Sequence, residues 1–260
     1  MKRIKNDLKK YLGFSLFSAQ SQLKSEVANS YLNWLWWILE PLCFMFIYAF
    51  IFGYVFKARE PYFPLFIFIG ITVWDFFSRM MNVSVKLVRN NKSIVSKVYL
   101  PKYILLLTKV WVNGFKMMVS FLIILIMMIF YHVPVNLSIF SIPFILITLV
   151  LFSFGVGTCL LHFGVFLDDL SNIVSIILRM LFYMTGIFYS VSSRIEAPYG
   201  EILSRINPIA FLLDAMRNAL LYGETPDLKI LAIWFTVSLA IIYTGIQTIY
   251  KNENSYVKVL

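Results

Sequence analysis

The sequence predicts an all-helical integral membrane protein: six transmembrane helices, an amphipathic interface helix ahead of them, and short re-entrant helices before the last span. Three observations predict it. Of 260 residues, 60% are hydrophobic and 14% are charged, where an average globular chain is about 45–50% apolar and about 25% charged. Mean hydropathy is +0.79. Six stretches come near the roughly 20 apolar residues that a helix needs to cross the hydrocarbon layer. Finally, the excess of basic residues, a net charge of +10, gathers in a few loops, as the positive-inside rule requires. Together these exclude a disordered chain, a disulfide scaffold and a soluble enzyme. Cys43 and Cys159 each lie in an apolar run and form neither a disulfide framework nor a zinc site. No basic run stands on a foldable soluble domain, so nucleic acid is not an expected partner.

Residues 1–31 begin with a basic stretch, MKRIKNDLKKYLGFSLFSAQ, but the apolar patch LGFSLF is too short for a cleavable signal. On a helix, Ile4, Leu8, Leu12 and the segment Phe14 to Phe17 gather on one side, with Lys5, Lys9 and Lys10 opposite or flanking. That pattern predicts an amphipathic helix lying on the inner leaflet.

The spans are expected at 33–56, 62–83, 104–131, 140–166, 171–190 and 229–249, with a tail at 250–260. They are apolar on every face, unlike the alternating ten-residue strands of a barrel. Six spans put both termini on one side. Thirteen basic residues fall in 1–31, in 86–102 (Lys86, Arg89, Lys92, Lys97, Lys102) and in the tail (Lys251, Lys258). The opposite loops hold five: Lys57, Arg59, Arg194, Arg205 and Arg217. Both termini are therefore expected in the cytoplasm. The 167–170 link carries Asp168 and Asp169, which suit capping of the fifth span or bonding to a partner protein.

The 191–227 loop is too long for a turn and too polar to span. Asn207 caps and Pro208 opens a helix over IAFLLDAMRNALLY, which Gly223 ends. It is too short to cross a bilayer, so it either dips in from the outer face or lies on it as a surface helix. Asp214 and Arg217 are one turn apart and can pair.

Catalytic motifs are missing. There is no GxxxxGK[ST] and no HExxH. His132 and His162 lie apart, without carboxylates around them. A chain of this shape moves or holds something with energy supplied elsewhere.

Charges inside spans are costly and face a bundle interior or water. Here they are Glu40, Asp75, Arg79, Lys109, Lys116 and Arg179. Asp75 and Arg79, four apart, form an expected internal ion pair. Lys102, Lys109 and Lys116 recur every seven residues on one face of the third span. Trp34, Trp36, Trp37, Tyr48 and Tyr54 crowd the first span, and Phe182, Tyr183, Phe188 and Tyr189 the fifth.

The ordered set of NWLWWILEPL, NNKSIVSKVYLPKYILLLTKV, FLDDLSNIV, GIFYS and INPIAFLLDAMRNALLYG resembles the membrane subunit of ABC-2 type exporters. It is most similar to the branch that exports bacterial O-antigen, capsule and teichoic acid. Where many members carry Ser-Pro, this chain has Thr185 and Gly186. The resemblance implies a homodimer of a single transmembrane domain in the bacterial cytoplasmic (inner) membrane. It also implies two copies of a separate ATPase that holds ATP and magnesium, so that this chain carries no cofactor.

A coupling helix between spans two and three is implied as well, with Asn90, Lys92, Ile94, Lys97, Val98, Leu100 and Pro101 as its docking residues. The cargo implied is a lipid-linked polysaccharide. Its path is expected along Trp34, Trp37, Tyr48, Tyr54, Lys116, Arg179, Tyr183 and Tyr189, with spans one and five facing each other across the dimer. Two alternatives stand beside this for the basic side chains: attraction of a lipid diphosphate, or snorkelling and salt bridges to Asp75 and Glu40. Likewise the aromatics serve as sugar platforms or as an interfacial belt. A drug or lipid exporter of the same fold, and a membrane enzyme or scaffold of glycan assembly, remain alternatives for the whole chain.

Overall fold

The computed structural model describes residues 2–28, 33–57, 60–191 and 199–259. Arg59 and Arg194, counted above among the outer basic residues, lie outside the described residues. Among the described residues there is no strand: helices are joined by turns and short irregular links. The helices are α1 (Lys2–Ala28), α2 (Asn33–Tyr48), α3 (Phe63–Asn90), α4 (Lys92–Val95), α5 (Lys102–Phe130), α6 (Ile142–Phe166), α7 (Leu170–Met184), α8 (Tyr199–Ile206), α9 (Pro208–Arg217), α10 (Leu228–Lys251) and α11 (Glu253–Val259).

Five helical stretches are long and apolar enough to cross a membrane: Trp34–Val55, Phe63–Asn90, Lys102–Phe130, Leu137–Phe166 and Leu228–Lys251. The first takes the π form over Ala49–Val55 after carrying Pro41 in its α-helical part. α3 is the central helix. Leu65, Ile67, Phe68 and Met80 on it are wholly buried, and α5, α6, α7 and α9 pack around it. Small residues let these helices touch: a Cβ on Gly164 of α6 would sit 2.0 Å from the carbonyl oxygen of Val85 on α3. Such close approach is how helices associate in lipid, where apolar contact alone gives no preference for a neighbour.

The fifth span differs from the sequence expectation. Apolar character runs on from 171 to 190, but α7 stops at Met184, 15 residues long. That is about 22 Å of helix. Gly186 adopts a left-handed φ of +74°, which turns the chain back. Ile187, Phe188 and Val191 are then buried outside any long helix. Hydropathy registers their burial and is silent on the turn.

α9 settles between the two readings of its sequence. Its N-cap is Asn207, whose side-chain oxygen accepts from the Ile209 and Ala210 amides at 3.1 and 3.3 Å. Gly223, at φ +68°, ends the turn that follows. Ile209 through Leu213, Ala215, Met216 and Arg217 are all buried, against α3 and α6. The helix is packed into the bundle, and the reading as a plain surface helix is set aside.

α1, the expected amphipathic helix, packs against the bundle. It runs beside α5: Tyr11 reaches the Tyr99 carbonyl, Gln22 meets Lys109 at 2.8 Å, and Glu26 meets Lys116 at 2.7 Å. The fourteen positions from Lys102 to Lys116 rise about 21 Å, so α1 climbs along the bundle. Its polar face supplies partners to Lys109 and Lys116 of α5, while Phe14 and Phe17 point outward.

Candidate functional site

The two termini meet at one end of the bundle. Arg3 donates to the Tyr99 hydroxyl at 2.7 Å and to Glu253 at 2.8 Å, and Tyr99 donates to Glu253 at 3.1 Å. Tyr250, under the Arg3 guanidinium at 4.1 Å, donates to Asp7 at 2.6 Å. Thus α1, α10, α11 and the segment between α3 and α5 are tied together. The hydrogen bond to Tyr99 raises the Arg3 pKa above its ordinary value, and burial raises that of the Tyr99 hydroxyl. Sequence reading passed over this knot, because nothing local relates residues 3, 99 and 253.

The segment beside the knot holds the docking residues expected from the sequence. Asn90 is the last residue of α3 and exposed; helix in the connection proper is the four residues of α4. Lys92, Lys97, Ile94 (40% exposed) and Val98 (59%) face outward. Leu100 does not: it is 3% exposed and belongs to the bundle core. Pro101, also buried, starts α5. Val95 turns inward, and Tyr99 is an exposed residue the expectation left out. Arg89, one position earlier, bonds the carboxylate of Asp168 and the Val165 carbonyl, anchoring the 167–169 link to α3.

Two sites lie further along the bundle. In the first, Arg79 is 3.3 Å from Glu40 and 3.7 Å from Asp75. These three share a recess with Trp37, Thr72, Asn113, Lys116 and Ser120. Lys116 lies over the Trp37 ring at 5.3 Å while it pairs with Glu26. The acid partner of Lys116 is thus on α1, not on α2 or α3 as the sequence reading had it. Glu26 was missed because nothing local in the sequence relates it to residue 116.

The second site is a groove of about 420 Å³ between α3 and α7, lined by Trp74, Ser78, Asn82, Ser175, Leu178, Arg179, Phe182 and Tyr183. Of the expected path residues it gathers Arg179 and Tyr183. Tyr189 is attached to its rim, donating to the Tyr183 carbonyl at 2.9 Å. Tyr48 packs behind it, 4.7 Å from Phe188 and 6.4 Å from Phe182. The aromatic sets of the first and fifth spans therefore meet within one chain. Trp34 and Tyr54 stand apart, 51% and 77% exposed near the two ends of the first span. The groove's α3 wall was legible but unread: Trp74, Ser78 and Asn82 follow the spacing of one helical face.

The turn after α7 is held by Arg217, which is 1% exposed. It donates to the Gly186 carbonyl at 2.8 Å, the Ile187 carbonyl at 2.7 Å and, through two nitrogens, the Phe66 carbonyl at 3.2 Å. Asp214 is 3.6 Å away. Arg217 was counted as an outer-loop charge and as a partner for Asp214; its main task is to fasten α9 and the α7 turn to α3.

Chemically, the arrangement offers a polar, cation-bearing groove with aromatic walls at one level and an exposed patch of apolar and basic side chains at the end that carries the termini. Residues 17–221 match the family model described as ABC-2 type transporter. Similar proteins include the O-antigen export system permease protein RfbA of Klebsiella pneumoniae, 27% identical over 92% of this chain and 91% of its own length. The protein of the same name from Myxococcus xanthus is 24% identical over 94% of each. The polysialic acid transport protein KpsM of Escherichia coli is 24% identical over 85% of this chain and 87% of its own.

Proposed function

This chain belongs to the ABC-2 type transporter family, and on that premise we propose that it is the permease subunit of an ATP-driven exporter of a surface polysaccharide. The observation that carries this is its likeness, over more than nine-tenths of both chains, to O-antigen export permeases. Two copies of the subunit form the conduit in the cytoplasmic membrane, with both termini in the cytoplasm. A separate ATPase docks on the exposed Ile94, Val98 and the lysines beside them. The groove between α3 and α7 supports the cargo assignment. Aromatic faces hold sugar rings weakly through CH–π contact, and weak repeated contacts suit a polymer that must slide. The outward apolar surfaces of the first span and α7, such as Phe46, Phe50 and Met180, support burial against a second copy or lipid.

The test is deletion of the chain's gene. Lipid-linked glycan is expected to accumulate inside the cell and to vanish from the surface, with rescue by the wild-type chain. In the same strain, the tagged chain is expected to bring down an ATPase. Normal surface glycan after deletion would overturn the assignment.

A further inference from the structure

We propose that an acyl chain of an anionic bilayer phospholipid lodges in an apolar groove between α1, α5 and α6 and braces α1 against the bundle. This goes beyond the export reading and does not depend on it. α1 and α6 both pack on α5. Between them lies a groove of about 540 Å³, lined by apolar side chains apart from Gln20. Leu16 and Leu23 line it from α1, Trp111 and Gly114 from α5, and Ile147 and Leu151 from α6. A Cβ added to Gly114 would meet nothing within 4 Å, so the space above that position is open. Apolar walls with no atoms between them forfeit dispersion contacts, and water there would find too few polar partners. A hydrocarbon chain restores those contacts.

The charge along α1 selects the occupant. Lys9, Leu16 and Leu23 recur every seven positions, flanked by Lys5 and Leu12, so all five share one face of the helix. Lys5 and Lys9 are exposed. The two acids of α1 are engaged elsewhere, Asp7 by Tyr250 and Glu26 by Lys116. The level of this face is fixed by its neighbours. Tyr11 reaches the Tyr99 carbonyl ahead of α5, while Gln22 meets Lys109 within α5. Lys9 thus stands at the end of the bundle that carries the termini, and Leu16 lies about 10 Å further in. Between them a Cβ on Gly13 would again meet nothing within 4 Å. Cations, then bare backbone, then hydrocarbon walls match the headgroup, glycerol and acyl chain of an anionic phospholipid. A basic stretch beside an apolar one draws such lipids from the nearby leaflet.

The probe is phosphatidylglycerol brominated on its acyl chains, titrated into the full chain in dodecyl maltoside. Bromine quenches indole fluorescence on contact, and Trp111 lines the groove. A saturable loss of fluorescence is expected in the wild type and is expected to vanish in Trp111→Phe. Gly114→Phe fills the open space and should raise the midpoint of quenching at least tenfold. Brominated phosphatidylcholine, which has no net charge, should bind about tenfold more weakly. Lys5→Gln with Lys9→Gln should bring phosphatidylglycerol down to that level. A wild-type midpoint in Gly114→Phe, or equal binding of the two lipids, would overturn the proposal. So would a Trp111 that the brominated lipid never quenches, the result expected if a second copy or a partner helix fills the groove. Melting temperature without added lipid separates a lost ligand from a lost fold; should Gly114→Phe misfold, the two exposed lysines carry the test. Quenching is read without export or ATP, so its failure and that of the deletion experiment are distinct.

Discussion

Arg217 shows what one residue decides in this fold. Its guanidinium bonds three main-chain carbonyls from two parts of the chain, and it lies 3.4 Å over the Phe66 ring. Removing it takes a donor from the Gly186 and Ile187 carbonyls and the opposite charge from the part-buried Asp214. Arg217→Gln is expected to cost roughly 3–5 kcal/mol, the usual loss when one partner of a buried charge pair is deleted. Thermal denaturation in detergent, followed by size-exclusion fluorescence, would measure it. Arg217→Lys should recover only part, since one ammonium cannot copy the planar fork. The neighbouring Gly186 is constrained differently: at φ +74° a Cβ would also meet Val191 at 2.4 Å.

At the scale of elements, the main finding is that α1 is part of the bundle. Glu26 and Lys116 join it to α5 at 2.7 Å, with the Lys116 side chain 19% exposed. Glu26→Lys places two cations together and is expected to release α1, read as new protease cleavage within residues 2–28. The exchange Glu26→Lys with Lys116→Glu should restore protection; continued cleavage in the double variant would show that the pair does not hold the helix. The segment between α3 and α5 makes a separate prediction. Ile94→Asp with Val98→Asp alters two exposed side chains, so the fold should survive while ATPase co-purification falls at least tenfold. Leu100→Asp, in a buried place, should instead reduce the yield of folded chain.

At the scale of the whole molecule, Arg3 and Glu253 join the two ends of the chain at 2.8 Å, so the termini share one end of the bundle. Which side of the membrane that end faces rests on thirteen basic residues against five. Alkaline phosphatase fused after Glu224 is expected to be active, and fused after Leu260 inactive, since the enzyme works only when exported. The opposite pattern would invert the orientation.

Residues by themselves told much about this protein. Composition and apolar run length determined that it is a helical membrane protein, because lipid leaves the backbone no partner but itself. The Asn207–Pro208 pair and Gly223 marked both ends of the buried turn-helix, because caps are local chemistry. The ordered motifs carried the family. Only tertiary structure decided the rest. The short α7, the ascent of α1, the inward Leu100, the pairing of Lys116 with Glu26 and the knot of Arg3, Tyr99 and Glu253 all join residues far apart in sequence. Hydropathy reports how much a residue avoids water, whereas which charge finds which partner depends on where separate helices come to lie. That is why Arg179 and Lys116 look alike in the sequence, and only the packed bundle leaves Arg179, among the described residues, without an ion pair and facing a groove.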